Sequence, residues 1–212
     1  MAARVVRPAS SAVTLIPQPP TLDGVREAAR GCQACDLWRT GTQTVFGEGE
    51  GRAEVMFVGE QPGDQEDRAG RPFVGPAGQL LDRALVEAGI ARDKTYITNV
   101  VKHFKWVPKG KRRIHQTPDA GEIVACRPWL DTEIALIKPR VIVCLGATAA
   151  QALLGKEFRV TRQRGEFVES PIAPFVIATV HPSSILRIPD ETAREVAVQR
   201  FTEDLKKVAA QL

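Results

Sequence analysis

The residues able to do acid–base, nucleophilic or metal chemistry fall into a few short stretches of the sequence. Gly59-Glu60-Gln61-Pro62-Gly63 sets a carboxylate beside an amide in a Gly/Pro-rich turn, with Asp64 and Asp67 following. It is no phosphate-binding loop, because no Gly-Lys-Ser/Thr follows. Asn99 offers both a donor and an acceptor, and Lys102-His103 come just after it. His181-Pro182-Ser183-Ser184 places an imidazole beside two hydroxyls. His115 ends a run containing Lys102, Lys105, Lys109, Lys111, Arg112 and Arg113, with no acidic residue before Asp119. Such a run attracts a phosphate backbone, although charge runs are more often plain solvated loops. A neutral imidazole, with an ordinary pKa of ~6.5, is a competent nucleophile near neutral pH. Cys32 and Cys35 form a C-x-x-C pair, which in a cytosolic chain points to a metal or redox site more than to a disulfide. Cys126 and Cys144 are the remaining cysteines, and four cysteines make an obvious ligand set.

The elements that must position these groups follow from hydrophobic patterning. Val55–Val58, Tyr96–Val101, Val141–Leu145 and Phe175–Val180 are nearly continuous apolar runs, as expected of strands buried on both faces of a parallel sheet. Helical patterns alternate with them: Pro76 to Gly89, Ala147 to Leu154 and Glu191 to Leu212. Another helix is predicted from Thr117 as N-cap and Pro118 as first residue towards Ile137, with Pro128 kinking or breaking it just after Cys126. The pattern predicts an α/β sandwich around a mostly parallel sheet. Ligands of such sheets gather beyond the carboxyl ends of the strands. Glu60, Asn99 and His181 all fall there, and their convergence is stronger evidence than any one motif.

A chain of 212 residues, 43% hydrophobic and 25% charged, suits one domain with a full core. There is no internal repeat and no second-domain boundary. Residues 1–20 read as a flexible leader, too broken by Ser, Thr and Pro for a signal peptide, and 21–212 as the domain. No apolar run reaches membrane-spanning length, so the expected location is the cytoplasm. The net charge of +4 is only weakly suggestive of nucleic acid.

Three segments together resemble the iron–sulfur uracil-DNA glycosylases: GEQPGDQEDRAGRPFVGPAGQLL at 59–81, YITNVVK at 96–102 and HPSSILR at 181–187. The insert KGKRRIHQTP at 109–118 is similar to that of the X class (UdgX-like), with its basic loop ending in histidine. The resemblance runs from about Cys32 to the C-terminus. It implies a three-layer α/β/α sandwich with a central four-stranded, mostly parallel sheet. It implies excision of uracil from DNA, preferably single-stranded, by a monomer. The uracil pocket would comprise Phe73 for stacking, Asn99 for O4 and N3–H, and His181 donating to O2. Gly59, Asp64, Ser183, Ser184 and Arg187 would sit around base and strand, and Lys111, Arg112 and Arg113 would meet phosphate. Gln61 stands where the superfamily often has a water-positioning Asp, and a neutral amide is no general base. Glu60 is the nearest carboxylate in the motif. The X-class insert implies that His115 attacks C1′ and leaves the protein joined to DNA, with Glu60 orienting or helping to deprotonate it. A [4Fe-4S] cluster is implied on Cys32, Cys35, His103 and Cys126, with Cys144 read as a small buried thiol and as the alternative to His103. Two other readings stay open at this point: a turnover glycosylase using water, and a non-catalytic single-strand binder.

Overall fold

A computed structural model describes residues 11–212. Four parallel strands form the centre: β2 (Val55–Gly59), β3 (Thr95–Asn99), β6 (Val141–Leu145) and β8 (Phe175–Thr179). Two-residue antiparallel strands, β1 (Glu48–Gly49) and β7 (Phe167–Val168), extend the edges, giving six strands in the order β1-β3-β2-β6-β8-β7. The sheet is therefore larger than the four strands expected. Two residues carry too little apolar pattern to register as a strand in sequence. Outside this sheet, β4 (Trp106–Lys109) and β5 (Arg112–His115) form a separate hairpin.

The helices lie in two layers. Along each central strand, alternate residues face opposite sides. Met56, Val58, Tyr96, Ile142 and Cys144 pack with α1 (Leu22–Ala29), α4 (Ala120–Ile137) and α5 (Ala147–Leu154). Val55, Phe57, Ile97, Val143 and Ile177 pack with α3 (Pro76–Ala88) and α8 (Glu191–Ala209). Three short helices, α2 (Asp64–Ala69), α6 (Val160–Gln163) and α7 (Pro182–Leu186), follow site loops or border them. Among the described residues no helix is long and apolar enough to cross a membrane.

Several local expectations change. The described part of the expected leader forms a 3-10 turn over Ala12–Leu15 that buries Ala12 completely, while residues 1–10 lie outside the described residues. Helix α4 is capped by Asp119 rather than Thr117: its carboxylate accepts from Glu122 N–H at 3.0 Å, and Glu122 accepts from Asp119 N–H at 2.8 Å. A reciprocal pair satisfies two end donors where a single hydroxyl satisfies one. Nor does Pro128 break α4, which runs unbroken to Ile137. The proline leaves the Val124 carbonyl without its helical partner. Val124 faces solvent, whereas Cys126, Trp129 and Leu130 hold the other face in the core.

One charged cluster lies inside that core. Lys102 and Glu133 are fully buried and paired at 2.6 Å. The Lys102 ammonium also donates to Thr98 Oγ1 at 2.6 Å and to the Asn99 carbonyl at 2.7 Å. Glu133 further accepts from Tyr96 Oη at 2.9 Å and from Gly47 N–H at 3.1 Å. A Cβ at Gly47 would sit 2.3 Å from Glu133 Oε1, so only glycine lets the segment before β1 approach. Lys102, counted in sequence with the basic run, thus ties the end of β3 to α4. Removing one partner leaves the other charge buried and unpaired, so Lys102→Met or Glu133→Leu alone should cost about 3–5 kcal/mol. The double replacement should cost much less; denaturant melts of the three variants test this.

Candidate active site

The carboxyl ends of β2, β3, β6 and β8 open into a cleft of ≈ 810 Å³. Its floor is built by close approach. A Cβ on Gly59 would fall 2.4 Å from Asn99 Oδ1 and 2.7 Å from Phe73 Cζ, so glycine at the end of β2 makes room for both. Asn99 is 2% exposed, and its Oδ1 has no hydrogen-bond partner. An unpaired buried acceptor is costly and calls for an explanation such as a missing ligand donor. Phe73 has a left-handed backbone, φ 54°, which is strained for an aromatic residue. It is held there because its carbonyl presses on α3, where a Cβ at Gly78 would overlap it at 1.7 Å.

His181 faces Phe73, with ring centroids 5.7 Å apart. It is the N-cap of α7, and Nδ1 accepts from Ser183 N–H at 3.2 Å. Ser183 Oγ lies 2.8 Å from the same nitrogen, and Ser184 Oγ donates to the His181 carbonyl at 2.7 Å. With Nδ1 as acceptor, the ring proton is on Nε2. Burial pushes the imidazole down to about 4, against the pull of Glu60, so the ring is neutral. Ser183, Ser184 and Arg187 line the cleft; the two serines fix the histidine.

Glu60 sits across the cleft. Its Oε1 is 3.2 Å from His115 Nε2, and its Oε2 accepts from Thr148 Oγ1 at the start of α5. Burial works against its charged form, yet hydrogen bonds with His115 and Thr148 hold the carboxyl below the ordinary glutamate value. His115 is exposed, which leaves the ring open to a ligand. It is the last residue of β5, opposite Trp106, rather than a loop residue as expected.

Half of the basic run is spent on internal pairs. Lys105 pairs with Glu122 at 2.8 Å and Asp119 at 3.2 Å. Arg113, expected on phosphate, is bound to Asp64 and, at 2.6 Å, to buried Asp67, and it stacks between Phe104 and Trp106. Asp64, expected near the substrate, is engaged by Arg113 and Arg68. Neither Asp64 nor Arg113 lines the cleft; together they fasten the hairpin to α2. Lys109, Lys111 and Arg112 remain exposed at the hairpin tip.

Gln61 lines the cleft, but its amide is bound to backbone at both sides of the hairpin base. Nε2 donates to the carbonyls of Lys105 at 3.2 Å and Gln116 at 3.0 Å, and Oε1 accepts from Lys105 N–H at 3.0 Å. Two further cleft residues went unnoticed in sequence. Glu66 accepts from Gly63 N–H at 3.1 Å and Gly75 N–H at 2.7 Å, tying the Glu60 loop to the Phe73 loop. Its place three residues after Gly63, at a helix start, was a readable signal. Thr148 had none.

Cys32, Cys35, Cys126 and Cys144 are all buried and free of disulfides. Cys144 lies within β6, walled in by core residues. The other three thiols are near enough to influence one another, and two accept hydrogen bonds: Cys126 from Lys102 N–H at 3.2 Å and Cys32 from the Trp129 indole at 3.3 Å. Thr44 Oγ1 donates to the Ala29 carbonyl and therefore accepts from His103 Nε2, 3.0 Å away, which leaves Nδ1 with its lone pair. Among the described residues no three His, Cys, Asp or Glu side chains converge as ligands of one metal ion. A [4Fe-4S] cluster spreads its ligands over separate irons, and N–H···S bonds of this kind suit thiolates bound to one.

The state of His181 makes a pH prediction. An unfolded histidine protonates near pH 6.5 and this one near 4, so the folded state loses stability as pH falls through that window. His181→Asn keeps a cap acceptor for Ser183 N–H and should remove that contribution, no more than about 3 kcal/mol. Melts of both proteins between pH 7 and 4 measure it.

Residues 46–206 match the model of the uracil DNA glycosylase superfamily. A type-4 uracil-DNA glycosylase of Thermotoga maritima is 41% identical over 184 residues, covering 86% of this chain and 90% of that protein. One from Sulfurisphaera tokodaii is 39% identical over 198 residues, covering 89% and 83%. A type-5 uracil-DNA glycosylase of Pyrobaculum aerophilum is 29% identical over 208 residues, covering 90% and 86%. Strand-end cleft, strained phenylalanine, orphaned asparagine and family match converge: the chain belongs to the uracil-DNA glycosylase superfamily.

Proposed function

We propose that the protein excises uracil from DNA, preferably single-stranded, and becomes joined to the emptied sugar through His115. The observation that carries the uracil reading is the buried, unpartnered Oδ1 of Asn99 beside Phe73. Uracil N3–H supplies the missing donor, while cytosine presents only an acceptor at that position. The base stacks on Phe73, and His181 Nε2–H faces O2, where negative charge develops as the bond breaks.

The C1′–N1 bond breaks with its electron pair passing to uracil. The carboxylate of Glu60 stabilises the positive charge left on the sugar. The lone pair of a neutral His115 ring nitrogen then forms the new C1′–N bond. The ring becomes positively charged, paired with Glu60, until its N–H proton leaves to water. The product is an N-glycoside of imidazole with no easy hydrolytic exit. Support for His115 over water comes from Glu60, whose oxygens are taken by His115 and Thr148, and from Gln61, whose amide is committed to backbone.

We also propose that Cys32, Cys35, His103 and Cys126 hold a [4Fe-4S] cluster, with His103 binding through Nδ1. When bound, the cluster supplies a structural tie between the N-terminal segment, α4 and the residues that enter β4. The working unit we propose is a monomer.

Mixing the protein with single-stranded DNA bearing one uracil should give a uracil-dependent band that survives heat and detergent. His115→Ala should abolish that band; its persistence would refute the nucleophile. Free uracil and an abasic strand from the wild type without any band would establish hydrolysis instead. Neutralising Lys109, Lys111 and Arg112 together should lower the log–log salt slope of single-strand binding by about 2, at ~0.7 per phosphate contact.

A further inference from the structure

We propose that a second cavity, between α1 and the loop leading into Phe73, is a phosphate site for the single strand whose uracil occupies the cleft. The inference rests on the single-stranded DNA reading above and is independent of the step at His115. This cavity, of ≈ 530 Å³, shares no lining residue with the cleft. It lies at the end of α2, where Gly70, Arg71 and Pro72 line it, and Pro72 joins directly to Phe73. The hairpin is fastened at the other end of the same helix, where Arg113 binds Asp64. A helix of six residues spans about 9 Å, so one bound strand can meet both the hairpin and the cavity.

The lining is cationic. It holds three arginines, Arg26, Arg30 and Arg71, against one carboxylate, Glu48. Arg71 grips Glu48 in two bonds: Nε donates to Oε2 at 2.9 Å and Nη2 donates to Oε1, which leaves Nη1 outside the pair. Those bonds first, and then the charges of Arg71, Arg92 and Arg26, hold the Glu48 carboxyl below the ordinary glutamate value against the effect of burial. Several guanidiniums thus bear on one carboxylate, and the cavity keeps cationic charge to spare. Arg26 and Arg30 pair with Asp23 and Glu27 one turn away on α1. Asp23 is 94% exposed and Glu27 70%; pairs so open to water contribute little and yield readily to a phosphate. Arg26 is also held over the ring of Phe46, 5.9 Å from its centroid, which keeps its charge at the cavity. A guanidinium fork meets a phosphate in two parallel bonds, and a row of such cations follows the backbone of a single strand whatever its sequence.

The test follows uracil release from single-stranded DNA with protein in excess but below saturation, so that the rate reports capture of the strand. Wild type is compared with the triple variant Arg26→Gln, Arg30→Gln, Arg71→Gln. Two series of oligonucleotides carry the uracil near one end, one extending to its 5′ side and the other to its 3′ side. On one series the variant should lower the log–log salt slope of the rate by about 1.4, for two phosphate contacts at ~0.7 each. On the other series the slope should not change. An equal change on both series, or none on either, overturns this inference alone. Inorganic phosphate that raises the melting temperature of the wild type and not of the variant, without that side dependence, marks a site for free phosphate and also overturns it. Absence of uracil release from any single strand by the wild type overturns the substrate reading, and this inference with it. If the triple variant does not fold, Arg30→Gln with Arg71→Gln, which spares the Arg26–Phe46 contact, decides by the same measurements.

Discussion

Burial of the central strands on both faces is the constraint from which the site follows. Every residue of β2, β3 and β6 is buried, so the sheet faces carry almost nothing that could touch water or substrate. Polar side chains are admitted only where the strands end, and there the backbone must turn. Val100 and Val101 leave the ladder of β3 and donate to the carbonyls of Gly59 and Glu60 at 2.9 and 3.0 Å. Those bonds fix the Glu60 loop relative to Asn99 before any side chain is considered. The Lys102–Glu133 pair secures the same corner from inside, since Lys102 also binds the Asn99 carbonyl. An unpaired acceptor on Asn99 is tolerated because the surrounding packing leaves it no room to turn away.

On that rigid floor the hairpin is an added part with its own fastenings. Its strands pair only with each other, and side chains hold it to the domain. The fastenings divide the work: the guanidinium fork of Arg113 reaches two carboxylates at once, while Gln61 addresses backbone. Half of the charge that looks destined for DNA in sequence is spent on pairs inside the chain, and Arg113 spends its share on mounting the hairpin that carries His115. Only the tip, with Lys109, Lys111 and Arg112, is left to meet phosphate, as expected for contacts that position a strand without reading it.

The four central strands, the α3 stop at Gly89 and the gathering of Glu60, Asn99 and His181 were legible because each rests on local pattern. Continuous apolar runs and a left-handed glycine leave marks within a few residues. Partner choice leaves none. That Arg113 meets Asp64 and Asp67, or that Lys102 meets Glu133, depends on segments brought together by the fold, 31 residues apart in the second case. Thr148 is of the same kind, and so is Gln61. Its sequence position beside Glu60 suggested a missing base, whereas its role is set by carbonyls 44 and 55 residues away. The edge strands β1 and β7 were missed for a different reason: two-residue strands carry no period.

Glu60 faces two demands that pull against each other. On the proposed mechanism its carboxylate stabilises positive charge on the sugar, and acting as a general base for His115 would surrender that charge. Its hydrogen bonds and the neighbouring imidazoles hold it below the ordinary glutamate value, despite the opposing effect of burial. A group so tuned is a poor final home for a proton that an imidazole keeps with an ordinary pKa of ~6.5. On the proposed mechanism Glu60 therefore acts through its charge and its hold on the ring, and the proton of the alkylated imidazole goes to water. His181 supplies the complementary half. Neutral because buried, it would add no positive charge beside the sugar, and in the proposed mechanism its Nε2–H meets the negative charge gathering on the base. In this proposal the separation of roles is electrostatic: an anion on the side where the sugar turns positive, an uncharged donor on the side where the base turns negative. Exchanging either for its charged or uncharged counterpart would weaken the bond-breaking step more than it would weaken binding, because only the transition state carries both charges.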